Sequence, residues 1–137
     1  MILIDTNIIS EMMKSIPTPN LISWIDQQSV IQLYVSTVTI AEISYGINVL
    51  SAGNRRNLLE DSFNKVLRDA FEHRILSFDE AAAHFYGKIM SRRKEIGKPL
   101  SIPDGQIAAI ARANSLAVAT RNIKDFSDCG LDLINPF

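Results

Sequence analysis

Met1-Ile-Leu-Ile-Asp5-Thr-Asn7 is an apolar run that ends on a lone carboxylate, and its reading decides the fold. Ile2 to Ile4 are apolar without alternation, which describes a strand buried on both faces. Asp5 is the first residue beyond that strand. In open α/β sheets ligands bind past the carboxyl ends of the strands, so Asp5 stands at the edge where chemistry is expected.

Outward from this strand, helical and extended patterns alternate. Asn7 to Met13 reads as a short helix that stops before Pro17. Pro19 and Asn20 open a second, with Leu21, Trp24, Ile25 and Gln28 at helical spacing. Ile31 to Val35 is the next strand, and Ser36 or Thr37 caps a helix running to about Leu50. Gly53-Asn54 marks a turn. Leu58, Leu59, Phe63, Val66, Leu67, Ala70 and Phe71 then form the stripe of a longer helix. Arg74 to Phe78 is a third strand, and Asp79 is an N-cap for the helix through Ala82, Phe85, Tyr86, Ile89 and Met90. Gly97 and Pro99 end that helix. Pro103 starts another that finishes near Asn114, with Leu116 to Thr120 a fourth strand and Leu131 to Ile134 a short fifth. Strands separated by helices predict a single α/β domain over residues 1–137. Its core is a parallel twisted sheet of four to five strands with helices on both faces.

Composition agrees with this. The 137 residues are 47% apolar, which excludes a disordered chain. The formal net charge is -1, so any nucleic-acid contact has to come from a local patch. A single cysteine, Cys129, suits a reducing compartment. No apolar stretch has the length of a membrane span, and the N-terminus lacks the pattern of a signal peptide. These features predict a cytoplasmic protein with no membrane association.

Four acids stand at the borders of apolar segments: Asp5, Glu42, Asp104 and Asp125. Asp125 follows the fourth strand and shares the edge of Asp5. Glu42 sits about two turns into the helix leaving the second strand, bordering its apolar face of Ile43, Ile47 and Leu50. An acid among Ile40, Ala41 and Ile43 costs stability if buried without a partner. Asp104 lies at a helix N-terminus, where the helix dipole favours a carboxylate. Each has a plainer reading: Asp5 and Asp125 as turn acids, Asp104 as part of a Ser101-x-x-Asp104 capping box. Gathered on one rim, the four form an oxygen-rich site for a hard divalent cation, and such sites activate water and neutralise phosphate charge.

The rest of the sequence adds a candidate phosphate-binding patch and little other chemistry. Arg92, Arg93, Lys94 and Lys98 precede Asp104, with Arg112, Arg121 and Lys124 as further candidates to neutralise backbone phosphates. As a solvated helix end the first group needs no ligand. His73 and His84 read as surface or helix-packing residues, and Trp24, Tyr34, Tyr45, Phe85 and Tyr86 as core or interface. The helices from Thr37 to Phe71 and the early helix with Met12 and Met13 leave room for an apolar groove that a partner helix would fit.

In order and spacing, Leu3-Ile-Asp5-Thr-Asn7, Ala41-Glu42-Ile-x-x-Gly46, Pro103-Asp104-x-x-Ile-Ala108-Ala and Thr120-Arg-Asn122-x-x-Asp125-Phe126 resemble the PIN-domain ribonucleases. More narrowly they resemble VapC-type toxins, and the Asn135-Pro-Phe ending is similar to the FitB branch. The resemblance spans essentially the whole chain. It implies a PIN-like fold and a magnesium-dependent endoribonuclease, with manganese as an alternative ion. It also implies a homodimer held in check by a cognate antitoxin, small and DNA-binding. In-line attack of a metal-activated water would leave a 3′-hydroxyl and a 5′-phosphate. The metal-binding acids carry over onto Asp5, Glu42 and Asp104. The fourth position is divided between Asp125 and Asn122, and Asp125 is taken as the acid. Thr120 resembles the family's hydroxyl residue beside the site, with Asn122 and Asn7 as supporting polar groups. Arg92, Arg93, Lys98 and Arg121 are the expected RNA contacts. Two alternatives remain at this level: a metal-dependent DNA nuclease or phosphatase on a similar scaffold, and a non-enzymatic receiver-like signalling domain. The receiver pattern expects an acidic pair after the first strand, where Asp5 is alone.

Overall fold

The computed structural model describes residues 1–72 and 74–137, so the reading made for His73 lies outside the described residues. Five short strands form one sheet: β1 (Ile2–Ile4), β2 (Leu33–Ser36), β3 (Ile75–Leu76), β4 (Ala117–Ala119) and β5 (Leu133–Ile134). Their order is β3-β2-β1-β4-β5, and every neighbouring pair is parallel. The expected parallel α/β sheet is therefore present. The chain builds outward from β1 through β2 to β3, then crosses back to lay β4 on the other side of β1. That reversal makes the carboxyl end of β1 the switch point of the sheet, where a crevice opens.

Seven helices connect the strands among the described residues: α1 (Thr6–Met12), α2 (Pro19–Gln27), α3 (Thr37–Asn48), α4 (Asn54–Phe71), α5 (Glu80–Glu95), α6 (Ile102–Ala113) and α7 (Ile123–Phe126). Successive strand residues face opposite layers, as the pleat requires. Ile2 and Ile4 join Leu33 and Val35 against Ile8, Ile9, Leu21, Ile43, Phe63 and Phe71, which belong to α1 to α4. Leu3 and Val118 point the other way, against Ala82, Ile89, Ile107, Ile110 and Phe126 of α5 to α7. Burying one such Leu, Ile or Phe side chain contributes about 2 kcal/mol.

The caps that start the site-bearing helices come from the strand ends and loops. Asp5 Oδ1 accepts the Thr6 N–H at 2.8 Å and caps α1. Ser36 Oγ accepts the Thr39 N–H at 3.0 Å and caps α3. Asp79 caps α5 through the Ala82 N–H, as its position predicts. Ser101 Oγ accepts the Asp104 N–H at 3.3 Å at the start of α6. Gly105 lets α6 lie close on α5, since a Cβ there would collide with the Met90 sulfur and crowd the Tyr86 ring.

Several local expectations differ. β2 begins at Leu33 because Val30–Gln32 form a 3-10 turn ahead of it. The third strand is only Ile75–Leu76. The segment carrying Asp125 is a one-turn helix rather than an open turn. Tyr45, read as core or interface, stands 72% exposed on α3, so it contributes nothing to the core.

Candidate active site

Asp5 is placed by two elements at once: β1 delivers it to the crevice, and α1 begins on it. It is only 5% exposed. Oδ1 takes the Thr6 N–H and Oδ2 takes the Thr120 hydroxyl at 2.8 Å. Burial penalises its charged form more strongly than these two hydrogen bonds favour it, and the charges of Asp104 and Glu42 push the same way as burial. The pKa of Asp5 is raised to about 6.

Asp104 is half-buried in the first turn of α6. Burial again raises its pKa, and the negative charge of Asp125 adds to the rise. The Ser101 hydrogen bond and the positive charge of Arg93 work against it. Ser101 caps α6 through the Asp104 N–H, and this leaves the Asp104 carboxylate compatible with a place at the rim. Asp125 itself is exposed on α7.

Glu42 differs from its sequence reading. It is exposed on α3 rather than bordering the buried side, so no burial cost has to be explained. Its carboxylate is nonetheless fixed, because Thr6 Oγ1 donates to Oε1 at 2.8 Å. Glu42 and Asp104 are near enough to act on Asp5, and Asp125 near enough to act on Asp104. All four predicted acids thus gather on one rim, although no three of them close on a common point among the described residues.

The supporting polar groups meet at Thr120, which is fully buried. Its oxygen accepts the Asn122 N–H at 3.0 Å and the Asn7 side-chain N–H at 3.4 Å while its own proton goes to Asp5. Asn7 Oδ1 accepts the Arg121 N–H. Asn122 contributes through its backbone; its side chain makes no capping hydrogen bond to α7.

The basic residues separate sharply. Arg93 is 4% exposed and is no RNA contact. Its Nε donates to the Lys98 carbonyl at 2.6 Å, and its Nη1 to the carbonyls of Ser127 at 2.6 Å and Asp125 at 3.3 Å. It ties the end of α5 to the loops that bear the site. The helical period explains the error: Arg93 is four residues past Ile89 and shares its buried face. Arg112 is also displaced. It ends α6, eight residues beyond Asp104 or about 12 Å along the axis, where it lies over the Phe85 ring and bonds the Cys129 carbonyl. Arg121 reaches toward Glu11 at 3.8 Å and covers the Phe137 ring. Arg92, Lys94, Lys98 and Lys124 remain exposed.

Sequence reasoning missed three groups. Thr6 and Thr39 join their hydroxyls at 3.0 Å beside Glu42. Glu11 is a buried carboxylate held by Lys14 at 2.7 Å and by both the hydroxyl and the N–H of Thr18. These partners, Lys14 foremost, bring its pKa down to about 2. The Glu11/Lys14 spacing of three residues was the available signal.

The donor set at the rim is carboxylate and hydroxyl oxygen, without sulfur or imidazole, and this suits a hard dication. None of the ion pairs among the described residues involves Asp5, Glu42, Asp104 or Asp125. Apart from the more distant charge of Arg93 acting on Asp104, no Lys or Arg offsets their charge, and a bound cation would do so.

Comparison with known proteins agrees with this geometry. Residues 2–130 match the PIN domain model. The chain is 39% identical to the VapC ribonuclease Y4jK of Sinorhizobium fredii, over 100% of this chain and 98% of that one. It is 37% identical to the toxin FitB of Neisseria gonorrhoeae, covering 100% and 99% of the two chains. Among solved structures, FitAcB from Neisseria gonorrhoeae superposes with a TM-score of 0.90 at 38% identity, covering 99% of this chain and 98% of that one. Fold, site and similarity together make this chain a member of the PIN-domain family, in its VapC- and FitB-like branch.

Proposed function

We propose that this protein is a magnesium-dependent endoribonuclease of the cytoplasm, the toxin of a toxin–antitoxin pair. The observation that carries the reading is the rim of acids without ion-pair partners at the sheet's switch point, with Asp5 raised to about 6 by burial and by its acidic neighbours. Asp5 and Asp104 would hold the ion directly, and Glu42 and Asp125 would bind it through water or complete a second site. When bound, a hard dication supplies charge neutralisation at the phosphate and a more acidic water. The protein's own part is orientation. Thr120 fixes one oxygen of Asp5, and the Thr6 hydroxyl fixes one oxygen of Glu42. Arg92, Lys98 and Lys124, all exposed, would meet the RNA backbone.

Names of relatives support both the RNA and the partner. A Shigella flexneri protein 30% identical over 101 residues is named tRNA(fMet)-specific endonuclease VapC. A solved structure of FitAB bound to a DNA fragment is 37% identical to this chain. A groove of about 290 Å³ between α1, α3 and α4 is lined largely by Met13, Ile43, Ile47 and Leu59. It lies where the sequence suggested a seat for a partner helix, and Glu42 stands at its edge. We assign this groove to the antitoxin. A homodimer is the expected resting assembly of the toxin itself.

The test is incubation of the purified protein with RNA, single-stranded DNA and a simple phosphate ester, with magnesium and with chelator. Magnesium-dependent cleavage of RNA alone, lost in Asp5→Asn, is the expected result. Cleavage of DNA or of the ester instead would favour the rival enzymes, and activity unchanged in chelator would overturn the metal assignment.

A further inference from the structure

Glu42 poses a physical problem that the family assignment does not answer. It is a long, exposed side chain on α3, and a free Glu populates many rotamers. Its position is set from beneath by a row of hydroxyls. Ser36 Oγ donates to Thr39 Oγ1 at 3.3 Å, Thr39 Oγ1 lies 3.0 Å from Thr6 Oγ1, and Thr6 Oγ1 donates to Glu42 Oε1 at 2.8 Å.

The protons in this row have one consistent order. An ionised carboxylate only accepts, so the single proton of Thr6 goes to Glu42. The 3.0 Å contact can then be made only by the proton of Thr39. Thr39 in turn accepts from Ser36, whose oxygen is occupied by the Thr39 N–H. Ser36 and Thr39 are fully buried, where hydrogen bonds polarise one another and an unpaired hydroxyl is costly. The far end is anchored by the cap of α3, and the near end emerges at the rim.

We propose that Thr6 is a positioning residue for Glu42, the last member of a proton-ordered hydroxyl chain Ser36–Thr39–Thr6 that holds this exposed carboxylate within the acid cluster. Thr6 is well placed for this. Its backbone N–H is bound to Asp5 while its hydroxyl reaches Glu42, so one residue couples two acids delivered by different elements. The chain begins at the end of β2 and finishes just past the end of β1, two strands that pair in register.

This inference rests on the metal-dependent reading, and the experiment keeps the two apart. Mn2+ binding to the metal-free protein is measured by calorimetry, and RNA cleavage is measured in parallel. The proteins are wild type, Thr6→Val, Thr6→Ser, Thr39→Val, Glu42→Gln and Thr6→Val/Glu42→Gln. Thr6→Val keeps shape and the backbone bond to Asp5, and it should weaken Mn2+ affinity and turnover by about 10- to 100-fold, the usual effect of losing a group that orients a ligand. Thr6→Ser should restore both, and Thr39→Val should act in the same direction. In the Glu42→Gln background, Thr6→Val should cost little more. Equal affinity of Thr6→Val and wild type would overturn the proposal, as would a loss that persists undiminished without Glu42. If wild type itself neither takes up Mn2+ nor cleaves RNA, the functional reading fails first.

Discussion

The hydroxyl of Thr120 donates to Oδ2 of Asp5 at 2.8 Å, joining residues 115 positions apart at the ends of two neighbouring parallel strands. The bond favours the ionised form of Asp5, while burial and two acidic neighbours oppose it. It also defines what Thr120 does: it holds one carboxylate oxygen still and keeps that carboxylate available as an anion near neutral pH.

Removing this hydroxyl should therefore shift the titration of Asp5 in the metal-free protein. In Thr120→Val the Asp5 pKa should climb above about 6. A hydrogen bond to a charged group contributes about 1.5–3 kcal/mol, so the carboxyl titration followed by NMR in chelator should move up by roughly one to two pH units. Thr120→Ser should leave the titration in place. An unmoved titration in Thr120→Val would show that Thr120 acts by some route other than Asp5.

The same raised pKa makes the metal-free fold sensitive to pH. Asp5 holds its proton more tightly folded, at about 6, than at its ordinary value of 3.8. Its contribution to stability is fully present below the unfolded value and is lost as pH rises through about 6. The loss amounts to at most about 3 kcal/mol. Asp104, also raised, acts in the same sense. Glu11 acts in the opposite sense but in another window, because its lowered pKa costs stability only as pH falls from 4.5 toward 2. Denaturant titrations in chelator should thus show stability falling between pH 4.5 and 7, with a flatter curve for Asp5→Asn. A wild-type curve as flat as the variant's would contradict this account.

Divalent metal should reverse that loss. At 100 times its dissociation constant a ligand stabilises the folded state by about 2.7 kcal/mol, so Mg2+ or Mn2+ should raise the melting temperature at pH 7. Asp104→Asn should abolish the rise, and Asp125→Asn should reduce it. Asn122→Ala should leave it nearly intact, since the Asn122 side chain makes no capping bond and its backbone N–H survives the change. A greater loss in Asn122→Ala than in Asp125→Asn would give the fourth position to the asparagine.

Much of this site was legible in the sequence because carboxylates at strand ends have a position fixed by topology. Asp5 needed only the order of elements and the rule that ligands bind past the strand ends, and Asp104 the helix N-terminus that Pro103 marks. Side-chain contacts between distant segments were not legible. Thr6 and Thr39 are unremarkable in a linear reading, and their contact depends on β1 and β2 pairing in register. Glu42 is exposed on α3, a position the apolar stretch around it does not suggest: its neighbours Ile40 and Ile43 face the core while it does not. α7 escaped notice because four residues are too few for helical periodicity to show.

Arg92 and Arg93 are adjacent in the chain, and a charge-run reading treats them alike, yet the fold gives them different work. Arg92 is exposed, whereas Arg93 places its guanidinium under three carbonyls from two loops. Deleting Arg93 takes the donor from three part-buried hydrogen bonds, at about 1–3 kcal/mol each where water cannot replace the guanidinium. Arg93→Ala should then cost about 3 kcal/mol and lower the melting temperature by roughly 10 °C. Its effect on the salt dependence of RNA binding should be absent, provided binding is measured where the variant is still folded. Arg92→Ala should do the reverse, leaving stability unchanged within about 0.5 kcal/mol while reducing the salt slope by about 0.7 if it meets one phosphate. A destabilised Arg92→Ala, or an Arg93→Ala that melts like wild type, would undo the distinction.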